Sequence, residues 1–389
     1  MVAIPELPRK AIRLCFAGLM AVTLAACDAA PGGSLGNLIN PNRAVPVALL
    51  IPQSSASEGA LAQSLENAAR LAVADLGDIE VELMVYDTGG TPAGAAGAAE
   101  RAISDGADII LGPLGAGTAS AAGNVAAARG VNVLAFSNNP AIAGGNVFIL
   151  GNTFQTSADR LTRYAAAQGK GNIFVVHADD PAEIQGRDAI QRAISANGAS
   201  LAGTGSFPLS QQGIIDSITG LSRDIRSSGA NSVFLTSNAG GALPFLADLL
   251  PENGIDIETT QILGLQRLDV PSSALSLKGL QGAWFTVPSP VRSAQFSQRY
   301  AAVYGSSPSA ISSLAYDGVA AIGALIQQGR PDALTTAGLT QGAGFNGAYG
   351  PFRLFPNGTN ERSLAVAEVQ DNRVVVIDAA PVGFGGVGF

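Results

Sequence analysis

Two Rossmann-like α/β lobes, each with a parallel central sheet, are what this sequence predicts. Three observations carry the prediction. A chain of 389 residues exceeds one comfortable core. From Val45 to Pro140, four short aliphatic runs are separated by three helical periods rich in alanine, and β-then-α units with connections this short require parallel strands. After Leu150 the pattern begins again. Hydrophobic residues make up 47% of the chain and charged ones 13%, which suits helices packed on sheets and excludes a disordered chain.

The run 45–51 is a buried-type strand, and the polar loop 52–59 after it supplies Ser54 and Ser55 as cleft candidates. Leu61, Leu65, Ala68, Ala72 and Leu76 recur at helical spacing until Gly77 stops the helix. The second strand is 81–86; Thr91 and Pro92 then supply a cap and a first helical residue. Residues 108–111 form a third strand, and the turn-rich loop 112–117 leads to Thr118, an expected N-cap for a small-residue helix over 119–128. In an open α/β sheet, ligands collect at such a carboxyl edge, where free backbone N–H groups face a crevice. Gly115, Ala116, Gly117 and Thr118 are therefore candidate ligand contacts, joined by Ser137, Asn138 and Asn139 after the fourth strand, 131–136.

The second half predicts a strand at 172–177, a helix near 185–197, a strand at 199–207 and a helix marked by Ile214, Ile218, Leu221 and Ile225. Strands at 232–236, 261–265 and 283–287 complete a second sheet, with helices over 293–304 and 310–327 following. Residues 346–354, 363–370 and 374–377 read as antiparallel strands, the first pair turned by Pro356-Asn357-Gly358. Asn238 and Gly240 open a helix on the side expected to face the first lobe, so both join the candidate contacts, as does His177 at a strand end.

The first 26 residues read as a signal peptide: Arg9, Lys10 and Arg13 precede an apolar stretch, and Leu24-Ala25-Ala26-Cys27 resembles a bacterial lipobox. Cleavage there would leave Cys27 lipidated, as a membrane anchor, and would remove Cys15, so no disulfide is expected. Residues 27–44 then form a flexible tether. Asp28 resembles an inner-membrane retention signal of enteric bacteria; the choice between inner and outer membrane stays open. Losing Glu6, Arg9, Lys10 and Arg13 takes a net +2 from −8, leaving about −10, and an acidic body argues against a nucleic-acid partner.

From Val45 onward the chain resembles the type I periplasmic-binding-protein superfamily, in the branch of the leucine/isoleucine/valine-binding proteins. The residues that carry this are Tyr86-Asp87 with Pro92, the stretch Gly106-Ala107-Asp108-Ile109-Ile110-Leu111-Gly112-Pro113, Ser137, Pro308-Ser309-Ala310 and Ala315-Tyr316-Asp317. The resemblance implies two lobes joined by three hinge crossings, near 147–150, 287–291 and 341–346, closing on a ligand. Lobe one is then 45–147 plus 288–340, and lobe two 148–287 plus 341–389. Against the amino-acid-binding members, hydroxyls are missing where Gly115, Ala116 and Gly117 stand. An α-amino acid needs donors for its carboxylate and an acid for its ammonium; Thr118 and Ser137 are candidates for the first role, and Asp180, Glu183 or Asp269 for the second. The C-terminal run Gly347-Ala348-Tyr349-Gly350-Pro351-Phe352 with Gly358, Arg362, Leu364 and Val366 resembles the lipoprotein activators of class A penicillin-binding proteins.

No enzyme is expected. His177 is the single histidine, no lysine has a serine three residues before it, and neither a Walker lysine nor a G-x-S-x-G elbow is present. No metal or cofactor is expected either: aspartates lack calcium spacing, and Ser120 stands where a dinucleotide fingerprint needs its third glycine. Two non-catalytic readings remain. The preferred one is an envelope regulator of a penicillin-binding protein in peptidoglycan synthesis. The alternative is the substrate-binding protein of an ABC transporter for branched-chain amino acids or a related small solute, with a permease as partner.

Overall fold

Residues 36–384 are described by a computed structural model. The signal peptide, the lipidation reading at Cys27, Asp28 and the start of the tether lie outside these residues.

Short, fully apolar strands build the first sheet: Ile109–Leu111 is buried along its whole length and lies between Val45–Ile51 and Asn132–Ala135. Val81–Asp87 and Val147–Ile149 take the edges, and all five strands run parallel. On one face, alanines replace larger side chains. Ala95, Ala98 and Ala102 of helix Pro92–Ser104 meet Ala119, Ala122 and Ala126 of helix Ala116–Ala127 in one core cluster, because small residues let helices approach closely. The other face holds helices Gly59–Asp75 and Ser313–Ile326 through Leu65, Ala69, Val319 and Ile322.

The second sheet orders Arg373–Asp378, Ala365–Gln370, Trp284–Val287, Gln261–Gly264, Ser232–Leu235, Asn172–Ala178 and Ser200–Phe207. It is parallel except where Ala365–Gln370 pairs with its two neighbours. Trp284 packs edge-on against Tyr164 and donates its indole N–H to Glu368 at 2.8 Å. A small antiparallel sheet, Phe345–Gly347, Gly350–Leu354 and Asn360–Arg362, joins the lobes.

The chain first passes between cores after Leu150, toward helix Phe154–Ala167, and again after Val287, toward helix Pro290–Tyr304. By core membership the third passage falls between Leu354 and Ala365, beyond the expected 341–346, because Phe345, Phe352 and Leu354 are buried in the first core.

Candidate functional site

Parallel strands deliver their carboxyl ends to one edge, and in the first lobe that edge is built by two loops. At Gly112 the backbone turns with φ +90, and a Cβ there would lie 2.3 Å from the carbonyl oxygen of Leu50, so glycine alone fits where the third strand leaves the sheet beside the first. The helix that follows starts at Ala116 with Gly115 as its N-cap, three residues earlier than the expected cap at Thr118. Thr118 lies inside the first turn: its hydroxyl accepts from the Gly115 N–H at 3.1 Å and donates to the Gly115 carbonyl at 2.8 Å. That bond closes the turn and leaves the amides of Ala116 and Gly117 without intrahelical partners. After the fourth strand, the Ser137 hydroxyl accepts from the Asn139 N–H at 3.1 Å, and the Asn139 side chain caps the next turn at Ala141.

Across from these loops the second lobe contributes Leu265, Gln266 and Thr286, and together they enclose a cleft of about 580 Å³, a volume typical of small-molecule sites. Gly115, Ala116, Ser137, Asn138 and Asn139 are among the residues that line it. Apolar walls come from Leu114, Phe136, Phe154 and Leu314. Thr286 and Ser157 share a hydrogen bond at 3.1 Å, and Gln266 donates to the Thr236 carbonyl at 3.0 Å.

The remaining candidates are engaged elsewhere. Ser54 gives its N–H to Asp87, and Ser55 meets the hydroxyl of Ser57, on an exposed loop beside Gly90. Hydrogen bonds from Ser54 and Gly89 hold the Asp87 carboxyl below its ordinary value. Gly117 faces Pro92 of the neighbouring helix, 3.6 Å from where its Cβ would be. His177 is buried with Nδ1 2.9 Å from the Ala178 carbonyl oxygen. Asp180 caps helix Pro181–Ala196 by accepting from Ala182 and Glu183. Glu183 accepts the Ala178 N–H at 2.6 Å and the hydroxyls of Thr236 and Ser237 at 2.8 and 2.9 Å, so its carboxylate ties three strand-end groups together. Asn238 accepts from Gly240 in its own turn, and Asp269 is held in a two-point pair with Arg267. None of these candidates lines the cleft, although Arg267, the partner of Asp269, does.

What sequence reasoning missed is the floor. Arg362 lines the cleft and is itself buried: it pairs with the fully buried Asp317 at 2.7 Å and donates from Nε to the Leu150 carbonyl at 2.8 Å. Burial pushes the Asp317 carboxyl up, while Arg362 and the Ala348 N–H oppose the shift. One guanidinium thus joins a helix of the first lobe, the first crossing and the small sheet. The two residues stand 45 positions apart, and no local pattern in the sequence links them.

The profile of the periplasmic binding protein family matches residues 44–373. The chain belongs to that family. A search of curated proteins finds no match. Among solved structures, this family member is similar to a putative branched-chain amino acid ABC transporter protein from Rhodospirillum rubrum, at 18% identity and TM-score 0.72, over 86% of this chain and 100% of that one. It is similar also to an ABC transporter substrate-binding protein from Desulfitobacterium hafniense in complex with Leu, at 16% identity and TM-score 0.62, over 86% and 100%. A third likeness is the solute-binding protein of an ABC transporter from R. palustris in complex with benzoate, at 18% identity and TM-score 0.56, over 89% and 98%. At these identities the likeness establishes the fold. Among the described residues no helix is long and apolar enough to cross a membrane, and no group of three metal-ligating side chains occurs.

Proposed function

We propose that this periplasmic binding protein is the solute receptor of an ABC importer, tethered through Cys27, and that its cleft takes a small organic carboxylate with an apolar body. The observation that carries the reading is the character of the cleft wall. First-turn amides of helix Ala116–Ala127 and the Ser137 hydroxyl stand on one side, Gln266 and Thr286 on the other, and Leu114, Phe136 and Leu314 fill in between. Helix N-termini favour anions. Among the described residues no Asp or Glu side chain lines the cleft, so the ammonium of an amino acid would meet no ionic partner. Of the two ligand types named for the structural relatives, a benzoate-like acid suits this wall better than leucine.

The regulator reading rests on residues 347–366. Here that stretch forms two strands of the small sheet and enters the second sheet at Ala365, a use intrinsic to joining the lobes, and the similar solved structures are transporter receptors. The receptor reading is therefore preferred.

Thermal-shift and calorimetric titration of the mature protein with benzoate, short aliphatic acids and leucine test the assignment. A ligand at 100 times its Kd stabilises by about 2.7 kcal/mol; the expected order is carboxylate without ammonium above leucine. A larger shift with leucine overturns the ligand class. Silence with every acid, together with capture of a penicillin-binding protein, returns the reading to a regulator.

A further inference from the structure

A second cavity, of about 770 Å³, shares Asn139, Phe154, Arg362, Ser363 and Leu364 with the cleft wall. One side of it is formed by residues 139–141, which follow the first lobe's fourth strand; the other comes from helices Phe154–Ala167 and Pro181–Ala196 of the second lobe. Its polar lining is organised by Asp159. The Asp159 carboxylate accepts from Gln155 at 3.0 Å and from Asn197 at 3.0 Å. Because each amide donates its NH2 to Asp159, each turns its oxygen outward to a guanidinium: Arg192 donates from Nε to Gln155 at 2.9 Å, and Arg163 from Nε to Asn197 at 3.2 Å.

Two arginines are thereby fixed in direction through neutral partners. Among the described residues neither forms an ion pair, whereas Arg160 in the same cavity is spent on Asp378 and the Leu364 carbonyl. Guanidinium forks with free terminal N–H groups match carboxylate and phosphate oxygens in pairs. The cavity's other carboxylates are already taken, Asp188 by Arg187, Glu361 by Arg353 and Asp378 by Arg160, and Asp159, which lies near enough to Arg163 to act on it electrostatically, is hydrogen-bonded to the two amides, so the terminal N–H groups of Arg163 and Arg192 stay unspent.

We propose that this cavity is a second ligand site, separate from the cleft, which binds the oxyanion of a small organic acid or phosphate between Arg163 and Arg192. Its walls come from both lobes, so occupancy favours one hinge angle, and by linkage changes affinity in the cleft by the same factor as the cleft ligand changes affinity here. The site does not require the cleft to bind any particular solute.

Trp284 is the single tryptophan, and its ring lies 5.0 Å from that of Tyr164, the residue after Arg163. Tryptophan fluorescence of the mature protein, titrated with inorganic phosphate and with citrate, therefore reports on the helix that carries Arg163. A saturable change is expected with at least one probe, and weakening by roughly tenfold or more in R163Q/R192Q, which removes two charge-assisted contacts. Arg192 is exposed, so R192Q alone is the fallback if the double variant melts early; it is expected to weaken the same response. R267Q, in the cleft, should leave the response unchanged. No saturable response to either probe, a response that survives both R163Q/R192Q and R192Q, or one lost in R267Q instead overturns the proposal. Calorimetry of the cleft with benzoate is a separate readout, so failure here is distinguishable from failure of the receptor assignment.

Discussion

Replacing Arg362 by Met tests whether one buried ion pair holds the joint between the lobes. In the native protein the guanidinium is almost completely covered, its partner Asp317 fully so, and they meet at 2.7 Å. Met fills similar volume but leaves the Asp317 carboxylate in an apolar interior with only the Ala348 N–H as donor. Breaking a buried pair from one side costs about 3–5 kcal/mol, whereas exchanging both partners for apolar groups is often neutral. At roughly 2 °C per kcal/mol for a chain this large, R362M should melt about 6–10 °C early, and R362M/D317L should regain most of that. A pH arm separates charge from packing. Burial raises the Asp317 pKa, and Arg362 opposes the rise; without Arg362 the folded state holds its proton still more tightly than the unfolded chain. Stability of R362M should therefore be highest below the unfolded carboxyl value and fall as pH rises toward the folded one. Calorimetric scans at several pH values check this. A cost below about 1 kcal/mol, or a deficit independent of pH, would refute the argument that burial without a partner is the cause.

Other outcomes follow from the same kind of accounting. Gly112→Ala puts a Cβ 2.3 Å from the Leu50 carbonyl oxygen at φ +90 and should cost at least about 2 kcal/mol, read by urea melting. Glu183→Gln keeps an oxygen for the three donors that share Oε2 but removes the charge that strengthens those bonds, and should cost about 1–3 kcal/mol without abolishing benzoate binding in calorimetry; loss of binding with an unchanged melt would restore Glu183 as a ligand contact. Ser137→Ala should weaken a carboxylate in the cleft by about 1 kcal/mol, seen as a several-fold rise in calorimetric Kd. Asp159→Asn removes a carboxyl whose pKa is raised by burial. Its folded value lies above the unfolded one, so the native carboxyl stabilises most at low pH and loses that advantage as pH rises; the variant should lack that slope in melts between about pH 4 and 7.

The parts of the site that could be read from sequence share a physical cause. Strand ends in a parallel sheet converge on one edge, so a run such as 108–111 fixes where Gly115 must lie, and the fourth strand does the same for Ser137, without any long-range information. One helix start was legible from local chemistry, since Thr91 accepts from Gly94 ahead of Pro92; the helix expected near 185 begins earlier, at Pro181 behind Asp180. Thr118 was misread because the rule that favours a hydroxyl at the N-cap does not distinguish a cap from the third residue of the first turn folding back onto the amide of a glycine cap. The failures with Asp180, Glu183, Asp269 and His177 have a different origin. Residue type says that a carboxylate is available, but whether it remains so depends on which donors the fold brings within reach. Glu183 meets Thr236 and Ser237 more than 50 positions away, and Arg362 finds Asp317 on a helix of the other lobe. A polar side chain becomes a ligand contact only when folding leaves it unsatisfied, and that remainder is set by tertiary pairing. The same criterion separates the ion-paired Arg160 from Arg163 and Arg192 in the second cavity, where each of the two guanidinium groups hydrogen-bonds a neutral amide.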